Sequence, residues 1–82
     1  MFSPEDSTPV IYTKPQCVQC DMTIKLMNKL GVKYHTVDLS TDEEALATVK
    51  DMGYMSAPVI VVNEDNHWSG FRMDKVKSLS EG

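Results

Sequence analysis

Residues 9 to 20 read Pro9-Val10-Ile11-Tyr12-Thr13-Lys14-Pro15-Gln16-Cys17-Val18-Gln19-Cys20, and the change of character along them decides the fold. Pro9 to Thr13 is β-branched and aromatic, the composition of a buried strand. Lys14-Pro15-Gln16 makes a turn in which Pro15 fixes one backbone angle. A helix then runs from about Cys17 to Leu30, with Gly31 supplying the stop and Thr23, Leu26, Met27 and Leu30 on one face. Both cysteines of the chain fall in the first turn of that helix. Side chains three residues apart there share a face with Cβ atoms about 5 to 6 Å apart, and a disulfide prefers roughly 3.5 to 4.5 Å. A slight tightening closes the bond. A ring this small ties down little of the unfolded chain, so it adds little stability, and any residual strain eases its reduction. The pair suits a thiol-disulfide carrier.

The 82 residues make one domain, near the size at which a single apolar core becomes marginal. Apolar residues at 41% and charged residues at 24% place the chain among ordinary globular proteins, neither disordered nor membrane-spanning. The longest apolar run, Pro58 to Val62, falls far short of the roughly 20 residues needed to cross a bilayer. Residues 1 to 6 carry acid and proline where a secretion signal needs a basic stretch followed by an apolar one. The expectation is a cytoplasmic protein without a membrane partner. Thiols stay reduced in that compartment, so two cysteines point to catalysis or metal binding before a structural staple. Eight basic against twelve acidic side chains give a net charge of −4, which argues against nucleic acid as partner.

Further along, Lys33 to Leu39 alternates as a second strand, with Tyr34 and either Val37 or Leu39 inward. Ser40 or Thr41 is placed to cap a helix over Asp42 to Met52, whose apolar stripe is Ala45, Leu46, Val49 and Met52. Val59 to Val62 reads as a third strand, Asn63 to Asn66 as a hairpin turn, and His67-Trp68 as the start of a short fourth strand. Met73 to Leu79 can form a closing helix. The expected fold is α/β, a small four-stranded mixed sheet flanked by three helices in the order β-α-β-α-β-β-α. Residues 1–8 are expected as a flexible extension and residues 9–82 as the single domain, working as a monomer.

A CxxC at a strand-to-helix junction within a βαβ pattern is thioredoxin-like. The segments Tyr12 to Cys20, Ser56-Ala57-Pro58-Val59 and Trp68-Ser69-Gly70-Phe71-Arg72-Met73-Asp74 together resemble the NrdH-redoxins, glutaredoxin-like proteins of bacteria and their phages. The resemblance spans nearly everything from Pro9 onward. It implies a thioredoxin fold and thioredoxin-like activity despite glutaredoxin-like sequence. It also implies electron delivery to class Ib ribonucleotide reductase, with recharging by thioredoxin reductase, an NADPH-dependent flavoprotein, in place of glutathione. Two positions depart from the pattern. Asp21 follows the second cysteine, where its charge opposes a thiolate, and Met73 stands where related chains carry proline, removing a rigid helix start.

Cys17, nearest the helix start, is expected as the nucleophile, since backbone N–H groups and the helix dipole lower such a thiol from about 8.5 to between about 3.5 and 7.5. Cys20 resolves the mixed disulfide. The rival readings of the pair are zinc ligands or inert thiols. Zinc needs four ligands, and His35 and His67 alone remain to complete them, at spacings outside the finger pattern. Lys14 either lends positive charge to the thiolate or meets an acidic partner, unless it is simply a solvated lysine. Gln16, Val18 and Gln19 shape the rim, the last two smaller than the Pro-Tyr pair common in glutaredoxins.

By resemblance Pro58 is a cis-proline facing the cysteines, with the backbone at Ala57 offering an edge to an extended peptide. Trp68 and Phe71 are expected to form an apolar docking surface, although either ring can instead close the core of a small domain. Ser69 is expected to hold the loop by a hydrogen bond, Gly70 to permit its turn, and Arg72 to pair with Asp74. The glutathione-binding pattern, Thr-Val before the proline and a later Gly-Gly with paired aspartates, is replaced by Ser56-Ala57 and Ser69-Gly70-Phe71. Neither a metal nor a bound cofactor is expected.

Overall fold

The computed structural model describes residues 8–80. The flexible extension expected over residues 1–8 therefore lies, apart from Thr8, outside the described residues. The elements run β1 (Val10–Thr13), α1 (Val18–Leu30), β2 (His35–Asp38), α2 (Glu43–Asp51), β3 (Val59–Asn63), β4 (Asn66–Ser69) and α3 (Met73–Ser80). The strands lie in the order β2-β1-β3-β4. β1 and β2 are parallel, with Ile11 opposite Thr36, whereas β1–β3 and β3–β4 are antiparallel. A helical crossover joins the parallel pair and a tight turn at Glu64-Asp65 joins β3 to β4, as strand direction requires.

Alternation along the strands sorts the two faces of the sheet. Ile11, Ile60 and Trp68 point to one side, where Met27 of α1 and Val76 of α3 complete the core. Leu26, Leu30, Tyr34 and Leu79 pack around it, half-buried. On the other side Val59 is buried, and the chain just after α2 reaches β4, where the Tyr54 and His67 rings meet edge to face. Ala45 and Val49 are the buried residues of α2, so its expected apolar stripe narrows to two fully covered positions, with Leu46 and Met52 half-buried.

Of the element ends that differ from expectation, three have clear local physical reasons. Helix α1 begins at Val18, because Cys17 has extended angles (φ −111°, ψ 104°) and serves as the N-cap. Strand β2 holds four residues, matching the four of β1 that it pairs with. The cap of α2 is Asp42, whose carboxylate accepts the Ala45 N–H at 2.9 Å. Ser40 and Thr41 are already engaged by Asp38: Ser40 donates to its carboxylate through both N–H (2.8 Å) and hydroxyl (2.6 Å), and the Thr41 hydroxyl donates to its carbonyl at 3.3 Å. Gly31 ends α1 as foreseen, with φ +72° and backbone bonds from Gly31 N–H to Asn28 and from Val32 N–H to Met27.

Candidate redox site

The site forms where β1 hands over to α1. Lys14, Pro15 and Gln16 make an exposed turn, and Gln16 takes φ +58°, a left-handed conformation uncommon outside glycine. The reversal brings Cys17 to the helix mouth. Cys17 and Cys20 are disulfide-bonded with their Cα atoms 5.2 Å apart, inside the range such bonds favour. The Cys17 sulfur also accepts the Cys20 N–H at 3.2 Å, so the half-buried cysteine caps the helix with its own reactive atom. Cys20 is 2% exposed. An incoming sulfur has access to Cys17 and almost none to Cys20, the asymmetry that separates an attacking thiol from a resolving one.

The chain before β3 forms the second wall. Ala57–Pro58 is a cis peptide, Ala57 is half-buried and Pro58 is buried. Its carbonyl accepts the Gly70 N–H at 2.8 Å, and the Ser69 hydroxyl donates to the Ser56 carbonyl at 3.1 Å. The proline segment and the loop after β4 are thus pinned together. Beside them lies an apolar cavity of about 240 Å³ lined by Lys14, Leu46, Tyr54, Met55, Ser56 and Ala57.

The third wall is the loop 70–72. Gly70 takes φ +86°, which permits the turn expected of it, and Phe71 is half-buried. Arg72 is exposed and bonds Asp74 at 3.3 Å. That hydrogen bond from Arg72 is the leading cause of the lowered Asp74 carboxyl pKa. Trp68 departs from its expected docking role: at 4% exposure it belongs to the core cluster, because its register on β4 turns the indole toward α1 and α3. Of the two aromatic rings, Phe71 alone remains near the surface. Met73 begins α3 without the rigidity of proline, and the Val76 N–H still reaches the Arg72 carbonyl at 3.0 Å.

Val18 is 72% exposed beside the disulfide. Gln19 does more than shape the rim, since its side-chain oxygen accepts the Phe71 N–H at 3.2 Å. Sequence reasoning had no means of finding that contact. It also left His67 without a named partner, and the Tyr54 hydroxyl lies 2.6 Å from its Nδ1. Among the described residues no group of three or more His, Cys, Asp or Glu side chains is gathered to hold a metal ion, and no helix is long and apolar enough to cross a membrane.

Comparison with known proteins agrees with this arrangement. The Glutaredoxin family profile matches residues 10–68. The glutaredoxin-like protein NrdH of Salmonella typhimurium is 35% identical over 69 residues, covering 84% of each chain. The gene 56 protein of Mycobacterium phage D29 is 38% identical over 74 residues, covering 88% of this chain and 82% of its own. Among solved structures, the glutaredoxin-like NrdH-redoxin of Escherichia coli, described as having a thioredoxin-like activity profile, superposes with a TM-score of 0.83 at 30% identity, covering 88% of this chain and 93% of that one. With a thioredoxin-like fold and a redox-active Cys17–Cys20 pair, the chain belongs to the glutaredoxin family, within its NrdH-redoxins, and is a thiol-disulfide oxidoreductase.

Proposed function

We propose that residues 9–82 act as a single, monomeric redoxin domain in the cytoplasm, carrying two electrons from thioredoxin reductase to class Ib ribonucleotide reductase. The observation that carries this reading is the asymmetry of the sulfur pair, an accessible Cys17 at the helix mouth and a covered Cys20 one turn deeper. The reduced Cys17 thiolate attacks a disulfide of the target and forms a mixed disulfide, releasing one target sulfur as thiolate. The Cys20 thiolate then attacks Cys17, closes the Cys17–Cys20 bond and expels the second target sulfur. The target gains two electrons and, once its sulfurs protonate, two protons. The reductase returns the electrons, and its flavin and NADPH supply the hydride chemistry, so the domain itself works without a bound cofactor.

The choice of reductase rests on the residues that line the walls. Ser56-Ala57 precedes the proline where glutathione-binding chains carry Thr-Val, and Ser69-Gly70-Phe71 replaces their glycine and aspartate pattern. Lys14, Gln16, Val18 and Phe71 present a surface of mixed charge and apolar character, suited to a protein partner. Arg72 adds a cation at its rim.

An insulin-reduction assay tests activity and electron source together, comparing NADPH and thioredoxin reductase with glutathione and its reductase. Turnover is expected with the first system, and none with Cys17→Ser. Equal turnover with glutathione assigns the chain to the glutathione-dependent glutaredoxins instead. Stoichiometric zinc retained by purified protein and lost in Cys17→Ser identifies a metal-binding adaptor.

A further inference from the structure

Two motifs separated by 52 positions meet through one side chain. The Gln19 Oε1 accepts the Phe71 N–H at 3.2 Å, and the same oxygen lies 3.3 Å from the point where a Cβ on Gly70 would stand. Gln19 is also anchored from behind, because its backbone carbonyl accepts the hydroxyl of the fully buried Thr23 at 2.9 Å. On its other flank the 70–72 loop is tied to the proline segment by the Gly70 N–H bond to Pro58. The loop is therefore held at two points, one of which is the residue immediately before Cys20.

We propose that Gln19 is a positioning residue: by holding the Phe71 amide it fixes the 70–72 loop, a surface that meets protein partners, at a set distance from Cys17. The inference rests on the reading that this domain exchanges electrons with protein disulfides, and it assigns the residue between the cysteines to docking more than to thiol chemistry. An amide suits the task. A carboxylate at position 19 would accept the same N–H but would place a negative charge beside the sulfur and disfavour the thiolate. A tyrosine there, as in the Pro-Tyr pair of glutaredoxins, offers no carbonyl oxygen at that reach. Val18, the other residue between the cysteines, has no polar side-chain atom to substitute.

Gln19→Leu keeps the side-chain size and removes the acceptor. Loss of one hydrogen bond of ordinary net strength should speed amide exchange at Phe71 by about three- to tenfold. In the NADPH and thioredoxin reductase cycle the KM for the redoxin should rise by a similar factor at unchanged kcat. The rate at which the reduced protein attacks DTNB, a small disulfide that needs no docking, should change by less than the KM does. Gln19→Glu should restore protection of the Phe71 amide. Unchanged amide exchange, an unchanged KM despite faster exchange, or a DTNB rate that falls in step with partner turnover would each overturn the proposal. If Gln19→Leu does not fold, Gln19→Ala, a truncation of an exposed side chain, gives the same readouts. If thioredoxin reductase fails to turn over the wild type, that choice of partner is wrong, and Gln19 is judged by the same KM comparison on insulin with dithiothreitol as reductant.

Discussion

The Cys17 sulfur is bonded to that of Cys20 and at the same time accepts the Cys20 backbone N–H at 3.2 Å. It occupies the place that a serine or aspartate oxygen takes at an ordinary N-cap. When the bond opens, charge left on Cys17 already faces a donor and the positive end of α1. The Cys20 side chain is covered, at 2% exposure. One local feature thus supports the proposed roles, Cys17 as the attacking sulfur and Cys20 as the resolving one.

Reduced protein treated with iodoacetamide should therefore be modified first at Cys17, as peptide mapping by mass spectrometry will show. The rate should rise with pH to a midpoint below the value of about 8.5 for a free thiol. Modification starting at Cys20, or a midpoint at or above that of a free thiol, would contradict the assignment of roles.

Asp38 links the end of β2 to the turn before α2. The Ser40 hydroxyl bond, then the Ser40 backbone bond, hold its carboxyl below the ordinary carboxylate range. A carboxyl whose folded pKa is lower than its unfolded one adds stability above the unfolded value, and that stability is lost as pH falls through the folded pKa. Ser40→Ala removes the first donor, so the Asp38 pKa followed by NMR titration should move up toward its usual value. The stability difference between the two proteins should be present at neutral pH and should vanish in acid, below the folded pKa of Asp38. A difference independent of pH would mean that Ser40 acts by another route.

Element order, sheet direction, the Gly31 stop and the pairing of the two cysteines were readable because each has a local signal in residue type and spacing. What escaped reading depends on competition or on contacts across the fold. Ser40 and Thr41 are good caps by type, but Asp38 engages both and leaves the task to Asp42. Cys17 looks helical by position, yet capping demands extended angles of it. Whether Trp68 faced a partner or the core depended on strand register, and the Gln19–Phe71 and Tyr54–His67 contacts cross the fold without any pattern to announce them.

Gly70 is constrained twice, by a positive φ of 86° and by the nearby Gln19 oxygen. Gly70→Ala should lower stability by about 1 to 2 kcal/mol, since an L side chain in this region of backbone space is strained. Pairing it with Gln19→Ala relieves the contact but not the backbone, so a double-mutant cycle in urea should recover part of the loss only. Full recovery would place the whole penalty in the contact. No loss at all would show that the loop adjusts freely and is not held where the structure has it.

Trp68 sits in the core with Ile11, Met27, Ile60 and Val76, and among the described residues nothing accepts a hydrogen bond from its buried Nε1. The Lys75 ammonium lies 5.9 Å from the ring centroid, at the outer limit of a useful cation–π contact. Truncation to Ala should cost about 3 to 5 kcal/mol, the usual result of emptying an aromatic core position. Trp68→Phe keeps most of the packing and removes a buried N–H that has no acceptor among the described residues, whose burial is unfavourable without one. Its cost should accordingly be small, about 1 kcal/mol, and thermal unfolding of the two variants separates the cases. Because the indole is turned away from the surface, folded Trp68→Phe should also show an unchanged KM with the proposed thioredoxin reductase. A raised KM at nearly native stability would return Trp68 to the docking surface and contradict its placement in the core.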